Sequence, residues 1–319
     1  MESRNRGVWI FVIVAMLVVA CGCVAIVGAG AAWWFVGWPT SWTGGSGFEG
    51  EAIDQTFELG RAPSLRIDNF AGSVTVRGGE GGEIRVIATK RAPSGGDLDR
   101  IQVEMVERDG GLLIRTRKPA TMSNASVKLE ITAPTGTYLD AHTGAGSVEA
   151  SGLSGGGKLD TGAGSVTIQD LRGDLDVHTG AGSVEGYNLQ GRLKVDTGSG
   201  SVTVKGMEGE SEIHTGSGGI DMAGAAGRVR LDTGSGSIDY MGVPEGDCRF
   251  STGTGGITLR LPADLSATVD LHTGSGSIEV GFAVDGQVSK RDVKGVIGDG
   301  AQVSIYARTG SGSIDLLHY

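Results

Sequence analysis

Apolar and polar residues alternate with a period of two along most of the chain. The pattern is clearest in stretches such as LDVHTGAGSVEG at 175–186, where Leu175 and Val177 precede a Thr-Gly pair and Val184 follows it. Alternation over four to eight residues predicts a β-strand with one buried face. Each stretch therefore predicts a strand, a glycine bend and a second strand.

This unit recurs at a fixed spacing. The threonine of the Thr-Gly pair stands once in each 18-residue unit at first and then recurs less regularly, at positions 143, 161, 179, 197, 215, 233, 252, 273 and 309. An apolar corner follows each second strand, at Leu153, Leu171, Leu189, Met207 and Ala225. One such unit cannot bury its own apolar face, whereas stacked copies can, so the period is typical of a solenoid.

The charged positions indicate whether one coil holds one unit or two. The residue three before the threonine alternates in sign, through Asp140, Lys158, Asp176, Lys194, Glu212 and Arg230. The residue just before the threonine alternates between histidine and aspartate, through His142, Asp160, His178, Asp196, His214 and Asp232. Coils of two units would stack like charges, which destabilises a ladder, whereas coils of one unit place opposite or hydrogen-bonding partners together.

The sequence therefore predicts an all-β protein, with a parallel β-solenoid of about nine to ten 18-residue coils. The regular repeats occupy residues 139–319. The histidines are interpreted as members of a structural ladder. The threonines share the parity of the inward residues, which predicts a ladder of hydroxyls at the bend. The glycines that follow them are expected to adopt positive φ.

Residues 53–138 contain longer alternating strands joined by glycine-rich turns such as Asp109-Gly110-Gly111. We expect this region to form an antiparallel β cap that shields the open end of the solenoid. Within it, IDNFAGSVTV at 67–76 resembles a degenerate unit with Asn69 in the threonine position. The irregular segment 281–300 is expected to close the opposite end.

The chain carries no charge from residue 8 to residue 38, which is longer than the roughly 20 apolar residues that span a bilayer. Arg4 and Arg6 precede this run, and Trp33, Trp34 and Trp38 stand at its far edge. These flanks predict a cytoplasmic N-terminus at residues 1–7, a single transmembrane helix at 8–38, a linker at 39–52 and an extracytoplasmic remainder. Two alternatives stay open, a lipoprotein modified at Cys21 and a cleaved secretory signal.

Composition narrows the class of protein further. The chain has 319 residues, 58 of them glycine, and a formal net charge of −10. The glycines lack a Gly-X-Y period, which excludes collagen, and the acidic balance argues against a nucleic-acid partner. Three cysteines cannot build a disulfide framework, and Cys248 falls at a predicted core position.

Candidate chemistry is sparse in the repeats. Calcium-binding β-rolls need an aspartate in each glycine turn, where this chain has serine, and the repeat histidines lie two coils apart, too far for one zinc ion. The Gly-x-Gly bends lack the helix and lysine of a phosphate loop. Glu245 and Asp247, in an irregular unit, are the best candidates for a glycan-cleaving pair. No catalytic, cofactor-binding or metal-binding residue is predicted.

Three stretches carry a resemblance to a known family: IDNFAGSVTV, LEITAPTGTYLDAHTGAGSVEA and GVIGDGAQVSIYARTGSGSIDLL. From about residue 55 to residue 319 the chain resembles the DUF4097 family of bacterial adhesin-type surface proteins. The resemblance implies β-strand repeats, an envelope setting and no assigned catalytic residue.

The expected function is that of a membrane-anchored, exported, non-enzymatic adhesin or envelope interaction module. Its partner would be a surface polysaccharide or an envelope protein. The solenoid would present identical side chains to this partner about every 4.8 Å. Two alternatives are an envelope-stress or scaffold component without an external ligand, and a glycan-cleaving enzyme.

Overall fold

The structure is a computed structural model that describes residues 47–299 and 303–319. The expected membrane helix at 8–38 and most of the linker lie outside these residues. Within the described part of the chain, no helix is long and apolar enough to cross a membrane.

The described residues form 26 strands and one short 3₁₀ helix at Gly95–Arg100. The first strands are β1 Phe48–Glu49, β2 Ile53–Glu58, β3 Ser64–Asn69, β4 Val74–Gly79, β5 Glu83–Ala92, β6 Gln102–Arg108, β7 Gly111–Arg117 and β8 Ser126–Pro134. The regular repeats contain β9 Tyr138–Ala145, β10 Val148–Ser151, β11 Gly157–Ala163, β12 Val166–Arg172, β13 Leu175–Ala181, β14 Val184–Ser199, β15 Val202–Ser217, β16 Ile220–Gly227, β17 Val229–Ser235 and β18 Ile238–Pro244. The last strands are β19 Gly246–Thr254, β20 Ile257–Leu261, β21 Ala267–Ser275, β22 Ile278–Val280, β23 Asp285–Val288, β24 Asp292–Ile297, β25 Val303–Ser311 and β26 Ile314–His318.

The strands of the repeats pair in parallel with a shift of one repeat unit. Val148 pairs with Val166, Val166 with Val184, and Val184 with Val202. These valines form one buried column, each at most 1% exposed. The predicted coil of one unit is confirmed over the regular repeats.

Each coil has two faces. The strand before the Thr-Gly bend contributes to one sheet surface, here called the first face, and the strand after it contributes to the second face. Eleven coils stack among the described residues, in the spatial order 111–134, 64–79, 138–151, 157–172, 175–190, 193–208, 211–226, 229–244, 246–261, 303–318 and 267–280. Both ends of the stack therefore depart from the order of the sequence.

The antiparallel cap expected over residues 53–138 needs correction. β3 pairs in parallel with β7 and β9, and β4 pairs in parallel with β8 and β10, so this region supplies two further coils. The inward alternation sets the register of these strands, and the long insertion between them hides the period in the sequence. Within this region, antiparallel pairing is confined to β5, which pairs with β1, β2 and β8 on one face, and to β6 with β7 on the other.

At the opposite end, the last repeat of the sequence is not the last in space. β25 lies between β19 and β21, and β26 lies between β20 and β22. β24 then pairs antiparallel with β21, and β23 with β24. The segment that follows residue 280 thus closes this end, as expected, and also allows the later coil to insert.

The threonine side chains stabilise the bend. Nine threonine hydroxyls donate hydrogen bonds of 2.8–3.3 Å to glycine carbonyls of the neighbouring coil, at positions 143, 161, 179, 197, 215, 233, 252, 273 and 309. The predicted ladder of hydroxyls therefore bonds to the backbone instead of to itself. The second glycine of the bend has a positive φ, and a Cβ on Gly182 would lie 2.1 Å from the Gly164 carbonyl oxygen.

Candidate functional site

A groove of about 460 Å³ runs along the corner of the solenoid where the second face ends. We call it the corner groove. Its floor contains the predicted corner residues Leu153, Leu189 and Met207. Its polar lining consists of Thr135, Ser154, Asp170, Arg172, Asn188, Gln190 and Glu208.

The backbone at this corner turns through a left-handed conformation in five successive coils. Asp170 and Asn188 have φ values of 53° and 54°, and glycines occupy the equivalent positions in neighbouring coils, at Gly152, Gly206 and Gly224. Aspartate and asparagine tolerate this conformation better than other non-glycine residues. The turn therefore carries a polar side chain in two coils and a glycine, with no side chain, in the others.

The polar side chains of the corner groove form two columns across the coils. Asn188 donates to Asp170 of the preceding coil over 2.9 Å, and Gln190 donates to Glu208 of the following coil over 2.7 Å. Arg172 is the register partner of Gln190 in the preceding coil. Hydrogen-bonding groups are thus presented at about the 4.8 Å spacing of neighbouring strands.

This arrangement fits binding better than bond cleavage. The two carboxylates, Asp170 and Glu208, each accept a hydrogen bond from an amide, and they lie two coils apart, about 9.6 Å along the stack. Retaining glycosidases hold their two carboxyl groups about 5–5.5 Å apart, and inverting glycosidases hold them about 6.5–9.5 Å apart. Asp170 and Glu208 lie beyond both ranges, because they are also offset by two residues along the strand direction. The corner groove thus presents a row of hydrogen-bond donors and acceptors.

The charged residues singled out in the sequence lie together on the first face. The charge column contains Arg66, Asp140, Lys158, Asp176, Lys194, Glu212 and Arg230. The histidine column, two residues further along each strand, contains Asp68, His142, Asp160, His178, Asp196, His214 and Asp232. Both columns alternate as predicted, and the structure extends each by one residue at one end, Arg66 and Asp68. At the other end the alternation stops, because Arg230 pairs in register with Arg249, and Asp232 with Ser251.

Ion pairs in these two columns run both along and between strands. Arg230 lies 2.9 Å from Asp232 on its own strand, and the Arg66 guanidinium lies 3.6 Å from Asp140 in the next coil. The hydrogen bond from Lys194 to Asp196 raises the pKa of the ammonium, and Asp176 and Glu212 act in the same direction.

The histidines do not come together. His142, His178 and His214 are separated by intervening aspartates, so consecutive histidines lie two coils apart. Within residues 47–299 and 303–319, no group of three or more histidine, cysteine, aspartate or glutamate side chains is placed to hold a metal ion.

Glu245 and Asp247, the candidate glycan-cleaving pair, are exposed at the junction of β18 and β19. Asp247 continues a third column that the sequence reasoning missed, formed by Asp174, Arg192, Glu210 and Arg228. Arg192 pairs with Glu210 over 2.9 Å in this column. The 18-residue period and the alternating sign of these residues are visible in the sequence, and they assign Asp247 to this third column of charges.

The residues of the corner groove were also missed. Asp170 and Asn188 are one repeat unit apart, as are Arg172, Gln190 and Glu208, so the period marks them. The reasoning from strands treated this segment as an apolar corner because only Leu171, Leu189 and Met207 point to the core there.

The described fold is thus that of an all-β, largely parallel, solenoid-like protein without a recognisable catalytic constellation in its corner groove. Residues 63–317 match the sequence model of the family described as Toastrack DUF4097. The chain belongs to this family, as the resemblance implied. No curated protein matches it.

Several solved structures of bacterial proteins are similar to this chain, and three of them follow. A putative adhesin from Parabacteroides distasonis is 12% identical, with a TM-score of 0.42, over 84% of this chain and 98% of the other. A putative adhesin from Bacteroides fragilis is 14% identical, with a TM-score of 0.34, over 84% and 97%. A putative cell adhesion protein from Clostridium sporogenes is 13% identical, with a TM-score of 0.26, over 84% and 99%.

Proposed function

We propose that this protein is a non-enzymatic surface module that binds an extended, hydroxyl-rich envelope polysaccharide along the corner groove. The observation that carries the proposal is the row of polar side chains that lines the corner groove over consecutive coils, from Asp170 and Arg172 to Glu208. A long polymer can contact several coils at once, so weak individual hydrogen bonds add along its length.

The location of the protein is part of the same proposal. The uncharged run 8–38 would anchor the chain in the cell membrane as a single pass, with the solenoid outside the cytoplasm. A ligand in the envelope would then be within reach of the corner groove. Mass spectrometry of the native protein tests the anchor, because lipidation at Cys21 or cleavage of the run would give a different mature mass.

The corner groove supplies the variants for a binding test. Arg172→Ala and Gln190→Ala remove exposed polar groups from the groove, and Gln287→Ala makes a matched change on β23, at the far end of the stack. We expect each groove variant to bind fractionated envelope polysaccharide about tenfold more weakly, which corresponds to one hydrogen bond of roughly 1.4 kcal/mol. Gln287→Ala should bind like the unchanged protein.

The same assay distinguishes the other functions. Release of soluble sugar fragments from the polysaccharide would show a glycan-cleaving enzyme. Equal binding by all three variants would move the ligand away from the corner groove. Absence of binding to every polysaccharide fraction would favour a scaffold or a module for an envelope protein.

A further inference from the structure

The charge column and the histidine column have opposite phases. Wherever the charge column carries a cation, the histidine column carries an aspartate two residues further along the same strand, as with Lys158 and Asp160. Wherever the charge column carries an acid, the histidine column carries a histidine, as with Asp176 and His178. The rule holds without exception over seven coils.

Because the two columns have opposite phases, a second copy of the chain can pair with the first face through complementary groups. A twofold axis that runs along the stack, between the two columns, brings the charge column of one copy over the histidine column of the other. Each coil then faces the same coil of the partner. Such an interface is isologous, so every contact occurs twice.

Over the seven coils from 64–79 to 229–244, every contact that this axis generates between the two columns joins complementary groups. Each cation of the charge column would face an aspartate of the other copy. Arg66 would face the partner's Asp68, and Lys158 would face the partner's Asp160. Likewise, Lys194 would face the partner's Asp196, and Arg230 would face the partner's Asp232. Asp140, Asp176 and Glu212 would face the partner's His142, the partner's His178 and the partner's His214. No like charges meet. We propose that the first face is the contact surface of a parallel homodimer of this chain.

The shape of the first face permits this approach. The next outward position beyond the histidine column is the first glycine of the bend, at 144, 162, 180, 198, 216 and 234, so no side chain rises there. The side chains of these columns that form ion pairs keep much of their surface in solvent, from 29% for Asp232 to 71% for Arg66. They are therefore free to contact a partner without losing their bonds within the chain.

The size of the surface sets the strength of the dimer. Seven coils give six steps of about 4.8 Å, a contact about 29 Å long. A polar surface of this size, with exposed ion pairs, falls among weak and reversible associations. The dimer should weaken as salt rises, because exposed charges are screened beyond about 10 Å at 0.1 M ionic strength.

Two charge-reversal variants test the pairing. Variant A is Lys158→Glu with Lys194→Glu, and variant B is Asp160→Lys with Asp196→Lys. In a homodimer of either variant, like charges would face each other on two coils, so each should associate at least about tenfold more weakly than the unchanged protein. In a mixture of A and B, the reversed residues face opposite charges, and the heterodimer should form.

The measurement is sedimentation velocity on the full chain, in a mild detergent because of the apolar run 8–38, at about 0.02 and 0.3 M salt. Arg77→Glu with Lys205→Glu makes the same charge change on the second face and should leave association unchanged. Thermal unfolding of A and B separately shows that each is folded.

The proposal fails in three ways. The unchanged protein could remain a monomer at low salt, or A and B could each dimerise as well as the unchanged protein. Alternatively, A and B could be monomers that also fail to associate when mixed, as an antiparallel contact requires. A dimer held by the apolar run would persist in both variants and at both salt concentrations.

Discussion

The coils from residue 138 to residue 261 stack in the order of the sequence, whereas at each end two coils are interchanged. In the ordered region the Thr179 hydroxyl bonds to a carbonyl 15 residues away. At the ends, equivalent contacts join Thr309 to Gly255, 54 residues apart, and Thr143 to Gly72, 71 residues apart. The ordered region therefore depends on local contacts, and the ends depend on closing long loops.

The comparison shows two ways of stabilising the same coil. An ordered coil is added next to its neighbour in sequence, so its stability approximates a sum of repeat and neighbour terms. An interchanged coil is held by strands that are remote in sequence on both sides. The outermost coil at each end is in turn paired with an antiparallel strand, β5 or β6 at one end and β24 at the other.

The largest effect is expected from a side chain added at the bend of an ordered coil. Gly182→Ala would put a Cβ 2.1 Å from the Gly164 carbonyl oxygen, in a backbone conformation that side chains rarely adopt. We expect the free energy of unfolding to fall by about 4 kcal/mol or more. Urea denaturation measures it, with Gly96→Ala as the control, since nothing lies within 4 Å of that position. Similar stability for the two variants would contradict the close stacking of the bends.

The second prediction tests the interchanged coil. Ile305 is 1% exposed and lies between Cys248 and Val269, and Ile213 occupies an ordered coil at 0% exposure. Truncation of either to alanine should cost about 3 kcal/mol. Hydrogen exchange should differ, because Ile305→Ala loosens 246–261 and 267–280 together, whereas Ile213→Ala loosens 193–208 and 229–244. Loss of protection on one side of residue 305 alone would show stacking in sequence order.

The smallest effects come from the column of bend side chains. In the interchanged coil at 64–79, Asn69 donates to Val127 over 2.9 Å and accepts from Thr116 over 2.7 Å. Asn69→Thr should therefore cost about 2 kcal/mol, although it restores the common residue, because buried groups lose their partners. Thr179→Val, which removes one hydroxyl from an ordered coil, should cost about 1 kcal/mol by urea denaturation. A stabilising Asn69→Thr would mean that this coil obeys the rule of the ordered ones.

The stacking order of the coils from residue 138 to residue 261 could be predicted from the sequence, because each of these coils repeats the same pattern of apolar and charged positions. Val148, Val166 and Val184 recur once in each unit, and the alternating signs around Lys158 and Asp176 select the coil length. The interchanged coils could not be placed this way. β21 and β25 carry the same Thr-Gly-Ser bend, so the repeat pattern alone leaves open which of them follows β19.

The site was less predictable than the fold. Asp170 and Asn188 belong to the corner groove because the backbone there is left-handed. The alternation of apolar and polar residues in strands does not predict such a turn. The packing of a large side chain against a small one in the core was equally hard to predict from the sequence. Tyr240 fits the core because Gly242 leaves room, since a Cβ there would lie 2.8 Å from the tyrosine oxygen.

The interchange of coils also has a mechanical meaning. A force applied to the chain just before β3 or just after β26 does not act on an outermost coil that could peel away. It acts on a coil whose strands pair on both sides, β3 with β7 and β9, and β26 with β20 and β22. Once β1 and β2, which pair with β5 alone, have separated, a pull on the chain must therefore break hydrogen bonds on both sides of a strand to remove it from either end of the stack.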